Sequence, residues 1–133
     1  MPEEQPYSVF LSYSSTDKAW VSEFADALSQ AGVHAWFDMT ALSPGDRWME
    51  KIEAALRTSR TLVLIISPQS VNSPSTFFEL GAAVADQKQI IPVVTGDVEL
   101  AKIPALLRQF QILNESSPRQ AGIRVAAAIA ARN

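Results

Sequence analysis

Short apolar runs recur along the chain at intervals that are typical of alternating strands and helices. Four of them are rich in β-branched or aromatic residues and are interpreted as β-strands: 7–13, 33–37, 61–66 and 90–94. The last two are almost continuously apolar, as expected of central strands covered on both faces. Pro92 has no amide hydrogen to donate to a sheet, so the strand at 90–94 is expected to be short or to lie near an edge.

Apolar residues at helical spacing fill the intervals between these strands. Trp20, Phe24 and Leu28 form one stripe, with Thr16 or Asp17 as the expected N-cap and Gly32 as the expected stop. The segment 98–108 is compatible with a short helix or a loop. The remaining predicted elements are a helix carrying Trp48, Ile52 and Leu56 and capped by Asp46, a helix over 75–87, a short fifth strand near 110–113 and a closing helix over 123–131.

The alternation of strands and helices predicts an α/β fold with a parallel sheet built from right-handed crossovers. Five strands in 133 residues predict a flavodoxin-like, five-stranded parallel sheet of order 2-1-3-4-5 with helices on both faces. Ligands bind such sheets at the carboxyl ends of the strands, where the order reverses between strands one and three. Two connections, 12–17 and 67–79, are thereby expected to border a site.

Composition narrows the classes of function. The net charge of −3 argues against a nucleic-acid partner, and no apolar run is long enough to span a membrane. The absence of cysteine excludes disulfides and thiol chemistry, and the lone His34 lies at the entry of the second strand, where a structural role is expected. Glycine-rich phosphate motifs and clustered metal ligands are missing, so we expect no metal and no bound cofactor. Residues 1–6 are expected to form a disordered tail without a secretory signal, and the cytoplasm is the default location.

Three segments could carry chemistry, and each also has a purely structural interpretation. The hydroxyl-rich turn at 10–18 could bind a ligand or simply cap a helix. The long connection at 36–48, with Leu42 at its tip, could be functional or ordinary Pro-Gly turn chemistry. Glu79, in the segment 67–81, could serve a site or merely complement a helix dipole.

Together these segments resemble the TIR (Toll/interleukin-1 receptor) domain family, especially its bacterial members. Residues 9–14 with Asp17-Lys18 look like the family's first box, and residues 37–46 look like its second box and BB loop. Residues 66–68 and 78–82 look like the third strand and the catalytic-glutamate region, and residues 91–93 match the fourth strand. The resemblance covers 7–133. Because most members are fused to a sensor or effector domain, it leaves open that this domain was excised from a larger protein.

The resemblance implies an NAD⁺ glycohydrolase or cyclase that releases nicotinamide and linear or cyclic ADP-ribose, with NAD⁺ as substrate and Glu79 as the catalytic residue. Many catalytic members carry tryptophan where this chain has Ser75, so Phe77, Phe78 or Trp48 could supply the aromatic wall. The other residues implied at the substrate site are Ser12, Tyr13, Ser14, Asp38, Leu42, Ser43, Pro44, Gly45, Asp46, Trp48, Ser67, Ser73 and Phe78.

The resemblance also implies partners. Other TIR domains would bind through the loop 38–48, forming a homo-oligomer or filament when active, in a role in bacterial immune defence. The alternative is a non-catalytic interaction module, a signalling adaptor or virulence factor, that docks through the same loop. Neither interpretation involves direct contact with nucleic acid or a membrane.

Overall fold

Five β-strands and three α-helices make up the part of the chain that the computed structural model describes, residues 9–13, 15–36, 59–69, 88–103 and 105–132. The strands are β1 (Val9–Ser12), β2 (Ala35–Trp36), β3 (Thr61–Ile66), β4 (Gln89–Val94) and β5 (Leu113–Asn114), and the helices are α1 (Lys18–Gln30), α2 (Ala105–Arg108) and α3 (Pro118–Arg132). Short 3-10 turns lie at Ser15–Asp17 and Leu100–Lys102. The helices predicted around Trp48 and over 75–87 lie outside the described residues.

All strand pairs in the sheet are parallel, and the order is β2-β1-β3-β4-β5. β3 pairs with β1 over four residues and with β4 over six, whereas the outer strands β2 and β5 contain two residues each. The α/β class and the parallel sheet are therefore confirmed. The longer strands of the sheet are β1, β3 and β4. β2 begins two residues later than the predicted run, and β5 consists of Leu113–Asn114 instead of 110–113.

Pro92 sits in β4 where the sheet can accommodate a missing amide hydrogen. β4 is an inner strand of six residues, but β5 pairs with it only at Val93 and Val94. Within the described ranges, Pro92 thus borders a paired strand on the β3 side alone. The prediction that this strand is short or lies near an edge is therefore wrong, because β4 is an inner strand of six residues that tolerates proline where β5 does not pair with it.

The two faces of the sheet are covered by separate apolar clusters because successive strand residues point to opposite sides. Phe10, Leu62 and Leu64 pack on one face against Ile103 and Leu107, which belong to the connection between β4 and β5. The opposite face packs against α1 and α3 through side chains that include Val9, Leu11, Val63, Ile65, Phe24, Leu28, Ala121 and Val125. Right-handed crossovers require this arrangement, since the β1–β2 and β4–β5 connections run in opposite directions across the sheet.

The ends of α1 follow from local sequence. Gly32 adopts φ +85°, and the amide hydrogens of Gly32 and Val33 are donated to the carbonyls of Ser29 and Leu28. This is the Schellman pattern, which satisfies the last carbonyls of a helix and favours glycine. Asp17 occupies the N-cap position as predicted, but its side chain makes no capping hydrogen bond.

The closing helix α3 begins five residues earlier than predicted, at Pro118 rather than Ile123. Ser117 explains the difference because its hydroxyl accepts a hydrogen bond from the amide of Gln120 at 3.2 Å. A serine N-cap followed by proline at the first helical position is a strong start signal. Among the described residues, no helix is long and apolar enough to cross a membrane.

α3 approaches α1 closely at Gly122. A Cβ atom placed on Gly122 would lie 2.5 Å from the Cβ of Ala27 and 3.1 Å from the carbonyl oxygen of Phe24. Trp20, which stacks on Phe24 with ring centroids 5.4 Å apart, also donates its indole hydrogen to the Ser116 carbonyl at 2.8 Å. The two helices are therefore in direct contact, and a hydrogen bond also ties α1 to the segment that leads into α3.

We expect Gly122→Ala to destabilise the domain by about 1–3 kcal/mol, because the added methyl group overpacks the helix contact. Ala127→Gly, at an exposed site on the same helix, is expected to cost about 1 kcal/mol, so the usual preference for alanine over glycine should reverse between these positions. Urea unfolding of both variants measures the two differences. A higher midpoint for Gly122→Ala than for the parent would contradict the contact.

Candidate active site

The carboxyl ends of β1, β3 and β4 meet at one edge of the sheet, which we call the carboxyl edge. It contains Ser12 and Tyr13 at the end of β1, Ser67 and Pro68 after β3, and Thr95 and Gly96 after β4. From β1 the chain continues through α1 to β2, which pairs with β1 at one end of the sheet. From β3 the chain continues to β4 and then β5, toward the other end of the sheet. The reversal of strand order therefore lies between β1 and β3. This is the position at which open α/β sheets bind ligands.

The end of β1 is buried on both sides of the sheet. Ser12 is 2% exposed, and Tyr13 is 8% exposed and packs within the cluster beneath α1 and α3. Alternation along the strand directs Ser12 to the opposite face from Tyr13. Both residues were predicted at the substrate site. The structure places both at the carboxyl edge and gives Tyr13 a part in the core as well, and their contact with substrate stays a prediction.

A hydrogen bond between Ser67 and Asp17 links the residue that follows β3 to the start of α1. The Ser67 hydroxyl donates a hydrogen bond to Oδ2 of Asp17 at 2.9 Å, between residues 50 positions apart in the chain. Ser67 is 2% exposed, and Asp17 is partly buried. Hydrogen bonds to a carboxylate are stronger than neutral ones, and partial burial shields this bond from water. The bond therefore fixes the start of the β3–β4 connection against the start of α1.

Gly96 keeps the end of β4 beside the end of β3. It has φ +77°, and a Cβ atom on it would lie 3.4 Å from Cδ of Pro68. The amide of Thr95 donates to the Ile66 carbonyl at 2.9 Å, so the hydrogen bonding between the two strands continues one residue past the end of β4. The backbone next to Ser67 is consequently held from the β4 side.

Three of the predicted site residues, Ser12, Tyr13 and Ser67, thus lie at the carboxyl edge. The others lie outside the described residues, so their roles stay predictions: Ser14, Asp38, Leu42, Ser43, Pro44, Gly45, Asp46, Trp48, Ser73, Phe78 and the catalytic Glu79, together with Ser75 and Phe77. The structure adds Asp17, which the sequence analysis placed in the turn 10–18 and proposed as a helix cap but did not include among the site residues. Its place in one of the two connections expected to border the site was the signal available for a further role.

The opposite end of the sheet carries the lone histidine. His34 is exposed, and its carbonyl accepts a hydrogen bond from the amide of Val9. It lies beside a shallow depression of about 420 Å³ that is also lined by Asp26 and Ser29. Within the described ranges, no group of three or more potential metal ligands is assembled. His34 directly precedes β2, at the amino end of the parallel sheet and away from the carboxyl edge, as predicted from the sequence.

The family model described as "TIR domain" matches residues 9–125, which is most of the chain. The chain belongs to the TIR domain family. The match spans the five described strands, the carboxyl edge and about the first half of α3.

The proteins with similar sequences include bacterial enzymes. The chain is 34% identical over 99 residues to the 2′ cyclic ADP-D-ribose synthase AbTIR of Acinetobacter baumannii, covering 70% of this chain and 37% of that protein. It is 30% identical over 93 residues to the NAD(+) hydrolase TcpC of Escherichia coli, covering 65% of this chain and 30% of that protein. The chain therefore spans about a third of the length of these relatives.

Solved structures share the fold. A TIR-STING receptor of C. gigas superposes with a TM-score of 0.79 at 24% identity, covering 97% of this chain and 41% of that one. The TIR domain of the Toll-related receptor TRR-2 of Hydra magnipapillata gives a TM-score of 0.76 at 23% identity, covering 96% of this chain and 99% of that one. These likenesses show that the TIR fold extends over nearly the whole chain.

Gly96 offers a test of the carboxyl edge. We expect Gly96→Ala to cost about 1–2 kcal/mol, because alanine is strained at positive φ. The matched control is Gly32→Ala, where φ is also positive and no atom lies within 4 Å of the added methyl. Because 3.4 Å is an ordinary contact distance, the two costs should agree within error in urea unfolding. A much larger cost at Gly96 would show that Pro68 is held more tightly than the structure indicates.

Proposed function

We propose that this domain cleaves the bond between nicotinamide and ribose in NAD⁺. The observation that carries the proposal is the geometry of the carboxyl edge: both connections expected to border the site, 12–17 and 67–79, leave the sheet at the strand-order reversal and are joined by the Ser67–Asp17 hydrogen bond. The names of the relatives AbTIR and TcpC support the same chemistry.

In this proposal Glu79 supplies the carboxylate. The bond between the ribose C1′ and the pyridinium nitrogen breaks, its electron pair passes to the ring, and nicotinamide leaves as a neutral molecule. A leaving group of this kind needs no general acid, unlike the oxygen leaving groups of ordinary glycosidases. The remaining task is to stabilise the oxocarbenium-like transition state, which one fixed anion can do electrostatically. The lack of cysteine and the remote position of His34 are compatible with such a site.

Two products follow from one cleavage. Addition of water to C1′ with loss of a proton gives ADP-ribose, whereas attack by a hydroxyl of the same molecule gives a cyclic ADP-ribose. Relatives are named for both outcomes, as a hydrolase and as a 2′ cyclic synthase. We therefore propose NAD⁺ nucleosidase activity with ADP-ribosyl cyclase activity as a second branch of the same reaction, separable by chromatography of the products.

The proposal includes assembly. We expect active domains to associate through the loop 38–48, which would complete the site between neighbouring copies. The RPS4 and RRS1 TIR domains, whose structure is solved as a heterodimer, share the fold with a TM-score of 0.66 at 15% identity. The cytoplasmic location and the role in bacterial immune defence stay predictions.

The first test is the release of nicotinamide from NAD⁺ by the protein at high concentration. Glu79→Gln is expected to lower the rate by about 100-fold or more, because it removes the anion that stabilises the transition state. Glu23→Gln, the same substitution at an exposed position in the middle of α1, is the matched control and should leave the rate unchanged. Release of nicotinamide by Glu79→Gln at the parent rate would remove Glu79 from the mechanism. No release by the parent at any concentration would end the proposal.

The second test concerns assembly. Leu42→Asp is expected to abolish self-association, measured by light scattering, because a charge at the tip of the loop opposes burial in an interface. Ile123→Asp changes an apolar residue that is 46% exposed on α3 and serves as the control. Self-association that survives Leu42→Asp would contradict docking through this loop.

A further inference from the structure

The hydrogen bond from Ser67 to Asp17 stands at the base of the connection that carries Glu79. We propose that this bond is a positioning device for the site: it orients the 68–79 connection relative to β1 and α1, so that Ser67 and Asp17 affect the rate of NAD⁺ cleavage through geometry. The inference rests on the proposed function and adds Asp17 to it as a positioning residue.

The use of the Asp17 carboxylate is the first argument. Asp17 holds the N-cap position of α1, with φ −100° and ψ 11°, yet its side chain makes no capping hydrogen bond. An aspartate at this position normally accepts a hydrogen bond from an amide of the first helical turn. Here Oδ2 instead accepts a hydrogen bond from the hydroxyl of Ser67, 50 residues away. The helix forgoes its usual side-chain cap, and the carboxylate is committed to the neighbouring strand.

Both partners are attached to rigid elements. Ser67 directly follows Ile66, whose carbonyl is held by the amide of Thr95, and it is 2% exposed. Asp17 directly precedes α1, whose buried face packs against the sheet through Val21, Phe24 and Leu28. A bond between two fixed supports restricts direction as well as distance. The bond therefore restricts the direction in which the backbone continues after β3.

The position of Glu79 makes this direction relevant to catalysis. It follows Ser67 by twelve residues, in the same connection. A displacement of about 1 Å in a catalytic group can cost about 100-fold in rate. Electrostatic stabilisation depends on a group already held in place, so loosening the base of the connection should lower kcat.

The opposite end of β3 provides a matched control. Thr61, also 2% exposed, donates its hydroxyl hydrogen to Oε1 of Gln89 at 2.9 Å. The two bonds have the same length, each involves a buried hydroxyl on or beside β3, and each reaches a neighbouring element. Only the Ser67 bond lies at the carboxyl edge. Thr61→Ala should therefore reproduce the loss of a buried hydrogen bond without moving the site.

The experiment measures kcat and KM for nicotinamide release in four single variants. Ser67→Ala and Asp17→Ala are each expected to lower kcat by about 10-fold, whereas Thr61→Ala and Gln89→Ala should leave it within about twofold of the parent. The double variant with both Ser67→Ala and Asp17→Ala should be no slower than either single one, because both remove the same bond. Ser67→Thr and Asp17→Asn, which keep a hydroxyl donor and an oxygen acceptor, should restore most of the rate.

Asp17→Ala also separates positioning from direct contact of Ser67 with the ribose. If Ser67 acts by touching the substrate, Ser67→Ala will raise KM and Asp17→Ala will leave both constants unchanged. That result would overturn the inference, as would an equal loss of kcat in Thr61→Ala. In either case cleavage by the parent and its loss in Glu79→Gln would leave the proposed function standing.

Hydrogen–deuterium exchange supplies a readout that does not depend on activity. Ser67→Ala should speed exchange in peptides from 70–79 by at least about 10-fold relative to Thr61→Ala, because the base of the connection is released. Unchanged exchange in both variants would overturn the positioning role. If exchange differs between the two variants but the parent does not cleave NAD⁺, the bond still holds the connection in place. The claimed effect on the rate of cleavage is then overturned, together with the proposed function.

Discussion

The structure depends on the parallel pairing of β3 with β1 on one side and β4 on the other. All six residues of β3 are buried, so both faces of this strand need a covering layer. α1 and α3 cover one face, and the connection from β4 to β5 covers the other. The same pairing aligns the carboxyl ends of the three strands. One constraint thus creates both the core and the edge at which chemistry is proposed.

Sequence periodicity predicted the inner elements well because burial alone determines their pattern. The bounds predicted for β3 agree with the structure, and α1 follows its apolar stripe. The strand β2 begins at Ala35, two residues later than the predicted run, because an outer strand is paired on one side only. The start of α3 was predicted too late, although Ser117 and Pro118 are a typical N-cap and first helical residue. The prediction relied on the alanine-rich stretch that follows them.

The site was less predictable than the fold. Topology identified the carboxyl edge, and Ser12, Tyr13 and Ser67 lie there, but Glu79 and the loop 38–48 were assigned through family resemblance. The hydrogen bond of Asp17 with Ser67 could not be predicted from the sequence. An aspartate before a helix is expected both when it caps that helix and when it binds a residue 50 positions away. Side chains at this edge also contribute to the core, as Tyr13 does. Loss of activity on mutation therefore has to be compared with an equally destabilising change elsewhere.

The contact between α1 and α3 also has an evolutionary consequence. A Cβ atom added at Gly122 would lie 2.5 Å from the Cβ of Ala27, which is too close for two methyl groups. Only one of the two positions can therefore carry a methyl group at this helix spacing. In homologous chains that keep this helix spacing, a larger residue at either position should appear only with glycine at the other. Selection on the two codons is thus coupled across 95 residues of chain, and neither residue has to touch the substrate for that coupling to persist.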